Sequence, residues 1–468
     1  MTYQTINPAT GKTVQTFPEI SDANLEKAIS QAHTCYETDW SHRSIADRGR
    51  IVSAVAAKLR EKADEHAGYI TLEMGKLIGT SQIEIAISAD ILDYYAQNAE
   101  TFLKSQTFPG VPGAVLETRP IGVILGIEPW NWPYYQVARV AAPQLMAGNV
   151  LVLKHAESVP QCALAFAGLF EEIGAPPGIY TNIFASIDQV GRVIDDPRVR
   201  GVTVTGSERA GAAVAQRAGR NFKKAVMELG GSDPFIVLED APLESAIDSA
   251  VFGRMLNAGQ SCIASKRIIV VGKNRGKAFL EGFVQKMSAF EAGGPDDPKT
   301  TLGPISSERA MNLLLEQIGA AKKGGAKVVI GGDKIDRPGF YLEPTVLTDI
   351  DENNAIFKQE LFGPVASFYV VDSDKEAIAL ANATPFGLGG AVFTEDLDRG
   401  RRVAEQVDSG MVFVNQPTWT APNLPFGGVK NSGFGRELSE LGFGEFVNRK
   451  LISVVPAGSP PWGPVATE

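Results

Sequence analysis

From residue 121 onward, short apolar runs alternate with segments whose apolar positions recur at the spacing of an amphipathic helix. The runs are rich in valine and isoleucine and apolar on both faces, so both faces must be covered. Helices that alternate with such strands cover a parallel sheet on its two sides. The first series therefore predicts a doubly wound α/β domain. Its runs are IGVILGI (121–127), NVLVL (149–153), IYTNIF (179–184) and GVTVT (201–205).

A second series of the same kind predicts a second α/β domain. Its runs are PFIVL (234–238), RIIVV (267–271), AKVVI (326–330), PVASFYVV (364–371), GGAVF (389–393) and GMVFVN (410–415). The first hundred residues read mostly as helices, at 22–31 and over 44–104, and we expect them to pack on one of the sheets. Two strand-like pieces remain, at 107–120 and 450–455. Each is too short to bury itself, so we expect the two to pair as an outlying ribbon that seeks a partner subunit.

Length and charge narrow the class of protein. A chain of 468 residues exceeds what one hydrophobic core supports, so two or three domains are expected. The net charge is −10 and no basic run occurs, which argues against nucleic acid or an anionic membrane as a partner. No apolar run approaches the ~18 residues of a membrane helix, and the first residues do not resemble a signal peptide. We therefore expect a cytoplasmic protein.

Cysteine usage points to one reactive residue. The 3 cysteines are too few for a disulfide framework, and no Cys or His spacing predicts a metal site. Cys262 lies among small and polar residues in NAGQSCIASKR (257–267) and is either a nucleophile or a small core residue. A nucleophilic thiol usually relies on histidine, but all 4 histidines precede residue 156. A helix N-terminus, or a carboxylate that acts on water, is therefore a better expected partner than an imidazole.

Two more polar residues lie where strands are predicted to end. Glu228 ends the apolar run of MELGGSDP, at the edge of a parallel sheet where ligands bind. Asn131 lies in EPWNWPYYQ, and a side-chain amide at such a turn can stabilise an oxyanion. The alternatives are a solvated or capping glutamate and an asparagine that caps the next helix.

A nucleotide could bind at two turns of the first series. No G-x-G-x-x-G occurs at a strand-to-helix turn, but Thr205-Gly206-Ser207 joins a strand to a helix whose N-terminus suits a pyrophosphate. Glu157 follows the second strand in KHAE, the position where such domains bind an adenosine ribose. A plain capped helix and a solvated turn are the alternatives.

Taken together, seven motifs resemble the NAD(P)-dependent aldehyde dehydrogenase family, and most closely its bacterial succinate semialdehyde dehydrogenase branch. They are PWNWP (129–133), KHAE (154–157), TGS (205–207), ELGG (228–231), GQSC (259–262), ELFGP (360–364) and PFGGVKNSGFGRE (425–437). The resemblance covers nearly the whole chain in order and spacing. Two departures are His155, where many relatives have proline, and Trp132, where they have phenylalanine.

The resemblance implies a reaction. Cys262 would attack the aldehyde to form a thiohemiacetal, whose oxyanion Asn131 and the Cys262 backbone N–H would hold. Hydride would pass to the nicotinamide, and Glu228 would activate the water that hydrolyses the thioester. The alternatives are a Cys-dependent thioester hydrolase or acyltransferase, which needs no dinucleotide, and a non-enzymatic structural protein.

The resemblance also implies a cofactor site. The residues that match it are Trp130, Lys154, Glu157, Gly206, Ser207, Glu360 and Phe362. We expect NAD, with NADP as the alternative, because the charge of Glu157 would repel a 2′-phosphate.

The expected position of Asn131 also indicates which residues could bind the substrate. Arg139 lies eight residues further on, roughly the same face of a helix, and could bind the distal carboxylate of succinate semialdehyde. An arginine paired with a structural acid is the alternative. The tunnel wall is predicted to include Trp132, Tyr135, Trp419 and Thr420. Glutarate semialdehyde and uncharged aliphatic or aromatic aldehydes remain alternative substrates.

The family architecture accounts for the whole chain as two doubly wound, Rossmann-like α/β domains plus a small β oligomerisation ribbon. We assign 1–103 and 121–230 to the NAD(P)-binding domain and 231–437 to the catalytic domain. The ribbon and the C-terminal tail then comprise 104–120 and 438–468, and a homodimer or homotetramer is expected.

Overall fold

A computed structural model describes residues 2–459. The strands are β1 Tyr3–Asn7, β2 Lys12–Phe17, β3 Gln106–Thr107, β4 Ala114–Pro120, β5 Val123–Glu128, β6 Val150–His155, β7 Tyr180–Asn182, β8 Val199–Thr205, β9 Lys224–Glu228, β10 Asp233–Val237, β11 Ser265–Val271, β12 Lys327–Ile330, β13 Thr345–Thr348, β14 Val365–Val371, β15 Phe386–Gly387, β16 Ala391–Phe393, β17 Phe413–Val414, β18 Val429–Lys430, β19 Gly433–Phe434 and β20 Val447–Ser453. The α-helices are α1 Asp22–Thr38, α2 Ile45–Glu61, α3 Ala63–Met74, α4 Ile78–Phe102, α5 Tyr135–Ala147, α6 Pro160–Glu172, α7 Ile187–Asp195, α8 Glu208–Arg220, α9 Leu243–Met255, α10 Lys273–Ser288, α11 Glu308–Lys323, α12 Asp374–Asn382, α13 Leu397–Ala404 and α14 Ser439–Gly444.

The first large sheet has the strand order β19-β9-β8-β5-β6-β7 and is parallel except for β19. Each predicted run of the first series forms one of its strands, and β6 is buried along its whole length. Strand order reverses beside β5, so the sheet is doubly wound, as predicted. Helix α5, which follows β5, is buried at every residue because α2 and α4 also pack against it. Any polar side chain on α5 must therefore find its partners inside the protein.

The second large sheet has the order β12-β13-β14-β11-β10-β16-β17 and is parallel except for β12. It contains the second predicted series. Phe235, Val237, Ile268 and Val270 of the central strands lie in one core cluster under α9 and α10. The other face of the same strands packs on α12 and α13.

Three smaller sheets complete the fold between residues 2 and 459, and one of them is the short pair β15-β18. The predicted pairing of the two strand-like pieces is confirmed, since β20 pairs antiparallel with β4 from Val447–Pro120 to Ser453–Ala114, and β3 adds a third strand. The first hundred residues are mostly helical, as predicted, and β1 and β2 add an antiparallel hairpin that the sequence pattern did not predict. Part of the predicted tail, 460–468, lies outside the described residues. None of the helices between residues 2 and 459 combines the length and apolar character needed to cross a membrane.

The chain passes from one large sheet to the other between β9 and β10. Strand β9 ends at Glu228 and β10 begins at Asp233, so the carboxyl edge of the first sheet adjoins the amino edge of the second. Strands β5, β6 and β8 also end at that carboxyl edge, and Cys262 lies just before β11. This junction is where ligands bind in open α/β sheets.

Candidate active site

The segment before Cys262 is a strained turn held by side-chain amides. Helix α9 ends at Met255, and Asn257 and Ala258 then adopt left-handed φ angles of 59° and 51°. Two hydrogen bonds offset this strain, because Asn257 Nδ2 donates to the Asn131 carbonyl at 3.0 Å and to the Gln260 carbonyl at 3.1 Å. The turn therefore carries Cys262 to the end of β5.

Asn131 lies against the same turn. Its Nδ2 donates to the Gln260 carbonyl at 3.1 Å, and its Oδ1 accepts from Gln136 Nε2 at 3.0 Å. A side-chain amide has two N–H donors, and this geometry assigns one of them to the loop that carries the thiol. The alternative of a helix cap is wrong, because Asn131 makes these contacts and Glu84 Oε1 instead accepts the N–H groups of Tyr134 and Tyr135.

Cys262 is a half-buried free thiol on the wall of an apolar cavity. Burial raises its pKa to about 12, against the lowering effect of two positive charges, Arg139 and Lys266. The thiol is therefore protonated at neutral pH in this state. Formation of the nucleophilic thiolate requires a base or a change in the surrounding charges.

Glu228 is buried, and neither of its carboxylate oxygens has a hydrogen-bond partner among the described residues. Its side chain rests on Gly427, where a Cβ would lie 2.6 Å from Glu228 Oε1. Burial, followed by the charge of Glu437, raises the pKa of Glu228 well above its usual range. Such a shift brings a carboxylate toward the basicity that a general base needs near neutral pH.

One arginine, Arg139, supplies positive charge to the buried acids around Glu228. Arg139 contacts Glu437, Nε to Oε2, at 2.5 Å and donates from Nη2 to Thr205 Oγ1 at 3.2 Å. Burial also raises the pKa of Glu437 and, to a greater extent, that of Glu128 at the end of β5. In this state of the protein, Arg139 is thus paired with a structural acid, Glu437, which is the alternative that the sequence left open for it.

The cavity beside Cys262 brings together every predicted substrate residue. Arg139 is the one charged side chain among its described lining residues, which are Ile83, Ile87, Trp132, Tyr135, Gln136, Arg139, Leu256, Ser261, Cys262, Ile263, Trp419, Thr420 and Phe426. The Arg139 guanidinium lies over two rings, 4.9 Å from Tyr135 and 4.4 Å from Phe426. Tyr135 Oη is 2.7 Å from Thr420 Oγ1. The cavity is therefore an apolar tunnel with one cation in its wall.

The predicted nucleotide residues lie along the carboxyl edge of the first sheet. Lys154 and Glu157 form an ion pair. Burial by itself would raise the pKa of Glu157, but the positive charge of Lys154 outweighs it, so the pKa is lowered. A Cβ at Gly206 would meet no atom within 4 Å, which leaves room for a ligand at the N-terminus of α8. Ser207 caps that helix, since its hydroxyl accepts the Ala210 N–H at 3.3 Å. The alternative of a capped helix is therefore correct, because Ser207 Oγ accepts a hydrogen bond from the helix. The Ser207 O–H can still donate a hydrogen bond of its own.

Trp130 follows β5 of the first large sheet, and Phe362 precedes β14 of the second. Their rings meet edge to face, with centroids 5.7 Å apart. Glu360 Oε1 accepts the Gly231 N–H at 3.1 Å. A helix N-terminus with free space beside Gly206, a carboxylate beside two glycines and a pair of aromatic rings fit the pyrophosphate, ribose and nicotinamide of a dinucleotide.

Sequence reasoning missed three buried charges of this site. Glu437 lay inside the quoted GFGRE motif, but no role was assigned to it. Glu128 and Lys266 lay inside the quoted stretches EPWNWPYYQ and NAGQSCIASKR, but a charged residue at the end of a strand is ordinarily read as solvent-facing. Only the packing of α5 and β11 shows that these groups are enclosed.

Comparison with known proteins decides the family. The family model described as "Aldehyde dehydrogenase family" matches residues 1–452. The chain belongs to the aldehyde dehydrogenase family. It is therefore an NAD(P)-dependent enzyme that oxidises aldehydes.

Similar proteins extend over almost the full chain. A protein of Deinococcus radiodurans named "Succinate-semialdehyde dehydrogenase [NADP(+)]" is 50% identical over 98% of this chain and 96% of its own. The crystal structure of succinic semialdehyde dehydrogenase from Streptococcus pyogenes in complex with NADP+ is 44% identical, covers 97% of this chain and 99% of its own, and has a TM-score of 0.94. The structure of Gox0499 is 52% identical over 97% of this chain and 100% of its own, with a TM-score of 0.96. The predicted family and fold are thereby confirmed.

Proposed function

We propose that this enzyme oxidises succinate semialdehyde to succinate, with Arg139 as the anchor of the distal carboxylate. The proposal rests on the tunnel beside Cys262. Among the described residues that line it are Cys262 and one cation, Arg139. The names of the relatives from Deinococcus and Streptococcus support the same substrate.

The roles proposed for the chain's residues follow from their positions. The Cys262 thiolate adds to the aldehyde carbon, and the Asn131 amide, already at the Cys262 loop, turns one N–H to the developing oxyanion. Bound NAD(P)+ supplies the hydride acceptor. Trp130, Phe362 and Glu360 are positioned to orient it, with Lys154, Glu157, Gly206 and Ser207 along the nucleotide. Glu228 then takes a proton from the water that hydrolyses the thioester.

Substrate binding by Arg139 can use the N–H donors that Glu437 and Thr205 leave unoccupied. The guanidinium has five N–H donors, and Glu437 and Thr205 occupy only part of them. A short acidic aldehyde can therefore bind the remaining donors while Trp132, Tyr135, Trp419 and Thr420 enclose its carbon chain. A second candidate is an uncharged aliphatic or aromatic aldehyde, which the apolar wall and the occupied Arg139 favour.

Aldehyde pairs of equal length distinguish these candidates. We expect kcat/KM to be at least about 100-fold higher for succinate semialdehyde than for butanal, which a charged hydrogen-bonded pair can provide. The double variant Arg139→Met with Glu437→Met removes the anchor together with the carboxylate that pairs with it. It should lower this ratio at least about tenfold.

An unchanged ratio in the double variant would refute the anchor role, and a wild-type preference for butanal would favour the second candidate. Omission of NAD(P)+ provides the control for the reaction class. Acid formation from the aldehyde without dinucleotide would contradict oxidation by hydride transfer, and thioester hydrolysis by a protein that forms no NADH would favour the hydrolase alternative.

We also propose NAD as the preferred cofactor, although the Deinococcus relative is named for NADP(+). The Glu157 carboxylate occupies the turn after β6 and its pKa is lowered, so it is ionised at neutral pH. A 2′-phosphate at this turn would meet that charge, whereas a ribose hydroxyl could donate to it. Lys154 partly offsets the repulsion, so the preference is expected to be moderate.

Assembly through the ribbon is a further part of the proposal. Strand β20 lies at the edge of its sheet. Leu451 within the strand, and Val454 and Val455 just after it, are exposed apolar side chains. Such an edge is a ready template for a second copy. Light scattering should give the mass of a homodimer or homotetramer, and Leu451→Lys should shift it toward the monomer. A monomeric wild type would contradict this assignment.

A further inference from the structure

Lys266 is enclosed beside the nucleophile and uses all of its donors. It is the second residue of β11 and is 1% exposed. Its ammonium donates to the carbonyls of Ser261 at 2.8 Å and Cys262 at 2.7 Å, and it pairs with Glu360 Oε1 at 3.0 Å. Because an ammonium has three N–H donors, these three acceptors satisfy it completely.

Glu360 connects this ammonium to the turn that follows Glu228. The oxygen that pairs with Lys266 also accepts the Gly231 N–H at 3.1 Å. A Cβ at Gly230 would lie 2.6 Å from the other oxygen, so only glycine allows this approach. One ion pair therefore joins the segments that carry Cys262, Glu228 and the ELFGP motif.

The charges that act on the Cys262 thiol are divided in sign. Arg139 and Lys266 favour the thiolate, whereas Glu360 and Asp233 oppose it. Glu360 thus has two effects: its own charge opposes the thiolate, and it compensates the ammonium that would otherwise favour it. We expect a change in the Lys266–Glu360 contact to alter the balance of charges at Cys262.

We propose that Lys266 is a positioning residue that transmits the occupancy of Glu360 to the Cys262 thiol. The inference rests on the proposed role of Glu360 as a ligand of the cofactor ribose. Ribose hydroxyls that donate to Glu360 compete with Lys266 for the same oxygen. The Lys266 ammonium remains fixed by the two loop carbonyls. Because it is then paired less closely with Glu360, its positive charge acts more strongly on Cys262 and favours the thiolate. Bound nucleotide thereby prepares the nucleophile, and the empty enzyme keeps it protonated.

Alkylation of Cys262 by iodoacetamide measures this effect without aldehyde turnover. ADP-ribose is the probe, because it has the ribose hydroxyls and lacks the positively charged nicotinamide. Cys35 and Cys162 are buried, so a Cys262→Ser protein gives the background rate. The pH profile of alkylation is recorded with and without ADP-ribose, whose binding is measured separately by calorimetry.

We expect ADP-ribose to shift the alkylation profile of the wild type by about one pH unit toward lower pH, which is about tenfold in rate at a fixed pH. Lys266→Met should alkylate about tenfold more slowly without ligand and lose the response. Lys266→Arg keeps the charge and should retain part of the response. Glu360→Gln should react faster than the wild type without ligand, and ADP-ribose should accelerate it no further.

The outcomes separate the two proposals. If ADP-ribose binds but leaves the wild-type profile unchanged, or if Lys266→Met keeps the full response, the coupling through Lys266 is wrong. If ADP-ribose does not bind at all, the proposed cofactor site is wrong. Near-UV circular dichroism of Lys266→Met identifies loss of the native fold, and in that case Lys266→Arg and Glu360→Gln decide the question.

Discussion

The two ends of the active site each pair a cation with a carboxylate of the chain itself, but in different surroundings. At the nucleotide end, Lys154 and Glu157 are three residues apart, and their side chains are 10% and 33% exposed. At the substrate end, Arg139 and Glu437 are distant in sequence, 1% and 6% exposed, and enclosed by the rings of Tyr135 and Phe426. One pair is local and reaches solvent, whereas the other is a tertiary contact in the buried interior.

The difference indicates where ligand preference can change at low cost. A partly exposed pair gains little stability, so its members can turn toward a ligand or be substituted. A buried pair is costly to break, because the remaining charge stays in a medium of low polarity. We infer that the nucleotide end is adaptable, while the substrate end requires its two charges to be changed together.

The largest expected effect comes from breaking the buried pair on one side. Arg139→Met should lower the free energy of unfolding by about 3–5 kcal/mol, because it leaves Glu437 buried without its cation. Lys154→Met, the matched change at the nucleotide end, should cost at most about 1 kcal/mol. Urea unfolding measures both. Equal losses would contradict the distinction, and recovery of most of the loss in Arg139→Met with Glu437→Met would support it.

Asp233 sharpens the comparison with a buried acid that lacks a dedicated cation. Its Oδ1 accepts the Gly389 N–H at 3.0 Å, while Oδ2 has no hydrogen-bond partner among residues 2–459. Burial raises the pKa of Asp233 to about 6, despite the positive charge of Lys266. The folded state therefore binds a proton more tightly than the unfolded chain, and this stability is lost as the pH rises through about 6.

Asp233→Asn should consequently gain stability over the wild type as the pH increases from about 4 to about 6. The difference should reach roughly 2–3 kcal/mol and stay constant above that range, since one pKa unit corresponds to about 1.4 kcal/mol. Urea unfolding at a series of pH values measures it. The exposed Asp248, changed to Asn, is the control for loss of a surface carboxylate. A difference that is largest at low pH would contradict this sign.

The smallest expected effect is at the nucleotide end. Glu157→Ser removes the charge proposed to face a 2′-phosphate and should raise kcat/KM with NADP relative to NAD about tenfold, or about 1.4 kcal/mol. Glu171→Ser, an exposed acid on α6, is the matched control and should leave the ratio unchanged. If Glu157→Ser does not change the ratio, the proposed basis of selectivity fails.

The same contrast explains which features were predictable from sequence. Most strands of the two large sheets were recognised because continuous apolar runs have few other uses, but β13 and β19 were not predicted. Strand β2 was missed because its side chains are mostly exposed and show no alternation. The motifs placed Cys262, Glu228 and Asn131, but they did not indicate that Glu437 would reach Arg139 or that Glu360 would reach Lys266. Those contacts depend on how the two sheets meet, which local patterns do not encode.

The central claim is that Cys262 forms a thioester that Glu228 serves to hydrolyse. Rapid mixing of Glu228→Gln with succinate semialdehyde and NAD tests it most directly, with mass spectrometry of the quenched protein. The account predicts a burst of about one NADH per site, little turnover afterwards, and a succinyl adduct on the peptide that carries Cys262. Continuous turnover at the wild-type rate with no adduct on that peptide would contradict it.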